Sequence, residues 1–162
     1  VKPWTIFNET LIHDFDTLCW LNPGARVTQV FAQADALIHP KFAHQGFLDT
    51  SVVQIRFDNG AFAVAEASFQ AVYGYDVRGE VVGETGSLHL SPPVLTRMDS
   101  ALTSTARYAP DWRPRFAEAY RRQNIAWARA IDTGIPSPVA ASAWDGSKRF
   151  FLTVPSESPV RR

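Results

Sequence analysis

Cysteine is nearly absent from the sequence, because Cys19 is the only one among 162 residues. A single thiol excludes an intrachain disulfide bond and any metal centre that needs several cysteine ligands. Free thiols are usual in reducing compartments, and we therefore expect this protein in the cytoplasm.

An excess of charge of either sign is missing as well. Lysine and arginine together number 16, as do aspartate and glutamate, so the formal net charge is zero. No overall field favours the phosphates of a nucleic acid or an anionic lipid surface. The sequence also has no apolar run of the roughly 20 residues that a membrane-spanning helix needs. We expect neither nucleic acid nor membrane as a partner.

The composition is that of a globular domain. Apolar residues make up 46% of the chain and charged residues 20%, which is enough to bury a core in one domain of this length. Two segments have the spacing of amphipathic helices. Residues 8–20 have Asn8 as a candidate cap, and residues 111–133 lie between Asp111 as cap and Gly134 as terminator.

Strand patterns fill the chain between these helices. Apolar side chains alternate over residues 50–57, which places Val53, Ile55 and Phe57 on one face. An Asp-Asn-Gly turn then leads into a partner strand at residues 61–71. The remaining strand-like segments are residues 26–37, 78–82, 87–90 and the ambiguous stretch 94–108, which we interpret as a last edge strand.

No alternation of strand, helix and strand is visible. The predicted fold class is therefore α+β: an open, largely antiparallel sheet of residues 26–37, 50–71 and 78–90, with both helices packed on one face. The uncovered face would leave apolar side chains in water, so we expect a homo-oligomer that associates through the open sheet face. Residues 147–162 show no clear periodicity and are expected to form a loose tail.

One side of the first helix carries groups suited to proton transfer. Glu9, His13 and Asp16 stand at positions i, i+4 and i+7, which share one face of an α-helix. An imidazole titrates near neutral pH and is the usual proton acceptor in catalysis, and flanking carboxylates orient it. The same pattern is typical of the solvated face of a surface helix, so spacing alone leaves both interpretations open.

A second candidate is the segment of residues 71–78, where Tyr73 and Tyr75 flank a glycine and precede an aspartate and an arginine. Phenol and charged groups suit a ligand rich in hydroxyl groups, and tyrosines packed at the end of a strand are the alternative. The four histidines show no paired ligand spacing, so no metal site is expected. No glycine-rich phosphate-binding turn is present, so we expect no cofactor bound by this chain alone.

Taken in order, these segments resemble the Gfo/Idh/MocA oxidoreductases. The run Ile12-His13-Asp14-Phe15-Asp16 resembles the substrate-helix motif of that family. The Tyr-Gly-Tyr-Asp run at residues 73–76 resembles a segment of its myo-inositol dehydrogenase branch. The Leu48-Asp49-Thr50 run and the turns at residues 57–60 and 83–88 sit in matching order, and the resemblance covers roughly residues 5–146.

The resemblance implies a two-domain enzyme in which a Rossmann domain binds NAD or NADP. A second α+β domain, like the C-terminal domain of dihydrodipicolinate reductase, binds the substrate and forms the oligomer contacts. Residues 1–146 look like this second domain, and the Rossmann domain is expected to be absent. His13 matches the catalytic histidine, and Glu9, a second catalytic group, stands where the family has the shorter Asp. The substrate-binding positions of the family are matched by Asp16, Tyr73 and Tyr75.

Two functions of different classes follow from these observations. The first is the substrate-binding and oligomerisation half of an NAD(P)-dependent dehydrogenase that oxidises a hydroxyl of an inositol-like polyol or a sugar. This chain alone is then expected to be inactive. The second is a non-catalytic binding or scaffold domain derived from the same family.

Overall fold

The computed structural model describes residues 4–90, 94–143 and 145. Two compact units divide the chain, one based on the residues up to Gln70 and the other on Ala71–Ala140. Among the residues described, no helix is both long and apolar enough to cross a membrane. The fold is α+β with open antiparallel sheets, as the sequence predicts.

The first unit begins with a helix of two kinds. A π-helical turn at Ile6–Leu11 continues directly into the α-helix α1 at Ile12–Leu21. The prediction that Asn8 caps this helix is wrong, because the helical backbone starts before Asn8 and encloses it. The helix ends where the Asn22 amide donates to the Cys19 carbonyl at 3.2 Å.

A three-stranded antiparallel sheet follows in the first unit. Its strands are β1 at Val27–Asp35, β2 at Thr50–Phe57 and β3 at Phe62–Ser68, in the order β1-β2-β3. A short 3-10 helix at Pro40–Gln45 lies between the first two strands. The turn between β2 and β3 has Gly60 at φ +90°, which explains why glycine follows asparagine there.

The core of this unit lies between α1 and the sheet. Val53, Ile55 and Phe57 are buried on one face of β2, which confirms the predicted alternation. Leu11 and Phe15 pack against them from the helical side. Each large apolar side chain removed from water contributes about 1.5–3 kcal/mol, so this packing is the main force that holds the helix on the sheet.

The second unit contains two hairpins. Strands β4 at Glu80–Gly83 and β5 at Gly86–His89 pair only with each other within the described residues. The prediction that residues 78–90 extend the main sheet is therefore wrong. All eight residues of the two strands are exposed, so this short ribbon has no buried face with which to join a larger sheet.

The ambiguous stretch 94–108 is a hairpin rather than one edge strand. Strand β6 at Val94–Ser100 pairs with β7 at Thr103–Tyr108. Ala101 and Leu102 form the turn with φ of +47° and +62°. Two successive positive φ angles match the twist of a two-residue hairpin, although neither residue is a usual turn former.

The second predicted helix is interrupted. The structure has α2 at Trp112–Arg115 and α3 at Ala117–Thr133, with Phe116 at φ −116° between them. The break accompanies edge-on packing of the Phe116 ring against Tyr75, with centroids 6.1 Å apart. Asp111 caps α2 through the Arg113 amide at 2.8 Å, as predicted, and Gly134 ends α3 at φ +69°.

The apolar side of α3 faces solvent within its own unit. None of the described residues of α3 is buried, and Trp127 is 67% exposed. Packing of this helix on the same sheet face as α1 stays a prediction.

A buried carboxylate joins the ends of β1 and β2. Asp49 accepts hydrogen bonds from the amides of Leu37, Ile38 and His39 at 2.9–3.0 Å and from the Thr50 hydroxyl at 2.9 Å. Burial alone would raise the pKa of this carboxyl, but the hydrogen bonds outweigh it and hold the pKa below the ordinary 3.8. The charged form is therefore the one that the fold favours.

We expect Asp49→Asn to lower the free energy of unfolding by about 1–3 kcal/mol at pH 7, because the amide offers one acceptor oxygen where two are used. A lowered folded-state pKa contributes stability above the unfolded-state value and loses it as the pH falls through the folded-state value. The difference between variant and parent should therefore shrink below pH 3.8. Urea unfolding at a series of pH values measures it.

Glu66→Gln is the matched control, since Glu66 is exposed on β3 of the same sheet. It should unfold like the parent at every pH. A deficit for Asp49→Asn that is equally large at pH 7 and pH 3 would contradict the role of the charge.

Candidate active site

The packing of α1 determines which of its side chains reach solvent. Leu11 and Phe15 point into the core, and by helical spacing His13 and Asp16 lie on the other side. His13 is exposed and Asp16 is half-buried. These two residues are three positions apart on a regular α-helix, so their side chains are neighbours.

Glu9 lies on the π-helical turn rather than on α1. The hydrogen bonds of a π-helix run to the fifth residue, so the angle between successive side chains differs from that of an α-helix. Glu9 and His13 would share one face only if α-helical geometry ran through both residues. Glu9 is exposed, and its place beside the imidazole stays a prediction.

Asp14 is a group that the sequence reasoning did not single out. Burial raises the pKa of its carboxyl above the ordinary value, and the neighbouring His13 only partly opposes this shift. A carboxyl with a raised pKa next to a candidate catalytic histidine is a candidate participant in proton transfer. The sequence feature that points to Asp14 is its position inside the His-Asp-Phe-Asp run, directly after His13.

The tyrosine loop is anchored within the second unit. The Tyr73 hydroxyl donates to Oδ2 of Asp76 at 2.7 Å, and Arg78 forms an ion pair with the same oxygen at 2.9 Å. The Tyr73 ring packs edge-on against Tyr108 at 5.0 Å. The Tyr75 amide donates to the Ala109 carbonyl at 2.8 Å, which forms an isolated antiparallel bridge.

Donation to Asp76 has an electrostatic effect on the phenol. It raises the pKa of Tyr73 above 10.0, and the nearby negative charge acts in the same direction. Tyr73 therefore keeps its proton across the physiological range. The residue as a whole is 57% exposed.

Gly74 is required where the loop passes β7. Its φ is +144°, a conformation that residues with a side chain rarely adopt. A Cβ at this position would overlap the Tyr108 side chain and lie 3.3 Å from the Ala109 carbonyl oxygen. The glycine between the two tyrosines is thus a consequence of close packing.

The structure therefore places the candidate residues in two groups. Glu9, His13 and Asp16 belong to the opening helix of the first unit, and Tyr73 and Tyr75 belong to the loop of the second. That both groups line one hollow stays a prediction. Over residues 4–90, 94–143 and 145, no cluster of three or more His, Cys, Asp or Glu side chains could hold a metal ion.

Comparison with known proteins gives a consistent set of relatives. A family model described as the GFO/IDH/MocA C-terminal domain matches residues 5–89. The chain is 39% identical over 145 residues to inositol 2-dehydrogenase 2 of Saccharopolyspora erythraea, covering 85% of this chain and 39% of that protein. It is 37% identical over 139 residues to a Bacillus subtilis protein named uncharacterized oxidoreductase YrbE, covering 82% and 40% respectively.

A solved structure shares the fold. The crystal structure of myo-inositol dehydrogenase from Lactobacillus casei in complex with NAD(H) and myo-inositol has a TM-score of 0.79 and 25% identity to this chain. The similarity covers 94% of this chain and 44% of that one. The chain thus spans about two fifths of the length of the curated relatives named above.

We expect Gly74→Ala to destabilise the second unit by about 1–3 kcal/mol, because an alanine is strained at this φ and its Cβ overlaps Tyr108. Denaturant unfolding followed by the near-ultraviolet signal of the tyrosines measures the effect. Gly79→Ala is the control, since a Cβ there would meet no described atom within 4 Å. Equal unfolding midpoints for the two variants would contradict the close-packing argument.

Proposed function

Since this chain belongs to the GFO/IDH/MocA family as a C-terminal domain, we propose that it is the substrate-binding domain of an NAD- or NADP-dependent dehydrogenase. Its substrate would be a cyclic polyol of the inositol kind. The observation that carries this proposal is the exposed His13 beside the half-buried Asp16 on α1, in a chain 39% identical to an inositol 2-dehydrogenase. The NAD(H) and myo-inositol of the L. casei structure support the substrate class and the cofactor.

His13 is the proposed proton acceptor. Oxidation of an alcohol removes a hydride from carbon and a proton from oxygen, and the nicotinamide cofactor takes the hydride. The imidazole of His13 is exposed at the helix surface, where it can accept the hydroxyl proton. The described residues contain no glycine-rich strand-to-helix turn, so we assign no residue of this chain to the cofactor.

The remaining candidates would hold the polyol. Asp16 offers carboxylate oxygens that accept hydrogen bonds from substrate hydroxyls, and Glu9 would support the imidazolium once His13 is protonated. Tyr73 and Tyr75 offer phenol oxygens and flat apolar rings to a cyclic ligand. Each of these groups suits a ring bearing several hydroxyls better than an isolated alcohol.

The open face of the three-stranded sheet is the proposed contact with a second copy of the chain. Val64 and Phe31 are each 59% exposed there, next to Val52 and Phe62. A hollow of about 660 Å³ lies over β1, β2 and β3 on this unit. Apolar side chains collected on one exposed face favour association, and a symmetric dimer would bury the same patch on both copies.

We expect His13→Ala to reduce turnover by about 10²–10⁴-fold, the usual contribution of a general base. The test enzyme would be the S. erythraea inositol 2-dehydrogenase 2 in which this chain replaces the matching segment. NAD reduction with myo-inositol is measured by absorbance. His44→Ala is the control, because His44 is exposed in the 3-10 helix and outside the candidate site.

Near-normal turnover of His13→Ala would remove this residue from the role of base. A chimera that folds and binds myo-inositol but never reduces NAD would favour the alternative of a non-catalytic binding domain.

We expect Val64→Lys to shift the chain towards the monomer, because a charge in the centre of a self-complementary contact meets its own copy. Light scattering at several concentrations measures the shift. Val82→Lys is the control, since Val82 is also an exposed strand valine but lies on β4. A parent chain that is monomeric at high micromolar concentration, or two variants with identical behaviour, would contradict association through this face.

A further inference from the structure

Asp76 is the residue on which the polar contacts of the tyrosine loop converge. Its side chain is only 5% exposed, and its Oδ2 accepts from both the Tyr73 hydroxyl and Arg78. Its other oxygen, Oδ1, is buried and has no hydrogen-bond partner within the described part of the chain. Both donors of the loop therefore depend on a single carboxylate oxygen.

This arrangement fixes the direction of the hydrogen bond at Tyr73. A carboxylate paired with an arginine only accepts, so the phenol must be the donor. A phenol has one proton, and in Tyr73 that proton is committed to Asp76 at 2.7 Å. For a ligand, the Tyr73 hydroxyl then offers only the lone pairs of its oxygen.

A committed phenol discriminates between ligand groups. A ligand hydroxyl can donate to the Tyr73 oxygen, whereas a group that only accepts would bring two sets of lone pairs together. An unrestrained tyrosine hydroxyl would rotate and bind either kind of group. The Asp76 contact removes that freedom.

We propose that Asp76 is a positioning residue. Because it takes the only proton of the Tyr73 hydroxyl, the phenol oxygen can only accept hydrogen bonds from a ligand, and the loop therefore selects ligands that carry a donating hydroxyl group. This inference rests on the proposed function for the class of ligand. To the proposed function it adds the role of Asp76 and the direction of the hydrogen bond between Tyr73 and the ligand. Arg78, which is exposed, balances the charge that Asp76 brings into the loop.

The test compares myo-inositol with its monodeoxy-fluoro analogues, measured on this chain by ligand-observed NMR. Fluorine has nearly the size of a hydroxyl but cannot donate a hydrogen bond. At one ring position the parent chain should bind the fluoro analogue about threefold to tenfold more weakly, the range of one hydrogen bond. Tyr73→Phe should reduce this ratio to about one, because the acceptor is gone. Asp76→Ala should lower the ratio without abolishing it, because the freed phenol still accepts from a hydroxyl and can also donate to fluorine.

Asp99→Ala is the matched control, because Asp99 pairs with an arginine two residues away, as Asp76 does, but on the exposed β6–β7 hairpin. It should keep the full ratio. If Tyr73→Phe loses the ratio while Asp76→Ala keeps it, Asp76 has no positioning role although the proposed function stands. If no analogue binds more weakly than myo-inositol, the inference is wrong. Failure of the parent chain to bind myo-inositol would overturn both the inference and the proposed function.

A second variant covers the case in which Asp76→Ala does not fold. The Tyr73 pKa is raised first by its hydrogen bond to Asp76 and further by the Asp76 charge, and Asp76→Asn keeps the shape of the side chain but removes that charge. The titration of Tyr73, obtained as the ultraviolet difference from Tyr73→Phe, should then move to lower pH in the Asp76→Asn background. This measurement needs no ligand, and an unchanged titration would contradict the electrostatic effect of Asp76 on Tyr73.

Discussion

Burial of one side of α1 against β2 is the interaction on which the candidate site depends. Leu11 and Phe15 fit against Val53, Ile55 and Phe57, and this contact leaves the helix little freedom to rotate. His13 faces solvent and Asp16 stays half-buried because their neighbours in sequence are held in the core. The chemistry proposed for this helix is thus supported by an apolar contact that takes no part in it.

The tyrosine loop is held by a different kind of constraint. It has few buried apolar residues, and its shape depends on polar and steric details: the absence of a side chain at Gly74, the Tyr75–Ala109 bridge and the Asp76 carboxylate. A carboxylate at 5% exposure needs its donors, because an uncompensated buried charge is costly. The Asp76 carboxylate therefore holds Tyr73 and Arg78 close to each other within the loop.

The parts of the fold that follow from sequence are those in which periodicity reports burial directly. The alternation along β2 and the Asn-Gly turn predict the central hairpin, since both depend only on neighbouring residues. The turn at Ala101-Leu102 was not recognisable, because its positive φ angles are imposed by strand pairing rather than by residue type. The separate β4–β5 ribbon was missed for a related reason: pairing partners are a property of the whole fold.

The candidate site also has one part that the sequence predicts and another that only the structure shows. His13 and Asp16 were identified from spacing and resemblance, and the helix carries them as neighbours. The raised pKa of Asp14 arises from burial, and the role of Asp76 arises from two donors that meet at one oxygen. Neither the raised pKa of Asp14 nor the meeting of two donors at Asp76 can be read from the sequence, because both depend on the folded structure.

The π-helical turn at Ile6–Leu11 also bears on how the chain tolerates changes in length. A single π turn is equivalent to one residue inserted into an α-helix, held as a local bulge. Deleting one residue from this turn would restore an unbroken α-helix without moving α1 on its sheet. The residues on either side of the deletion would keep their orientation around the helix axis, because the wider π turn already absorbs the extra residue. Loss of one residue here would therefore leave Ile6 and the core side of α1 on the same face while the fold remains the same.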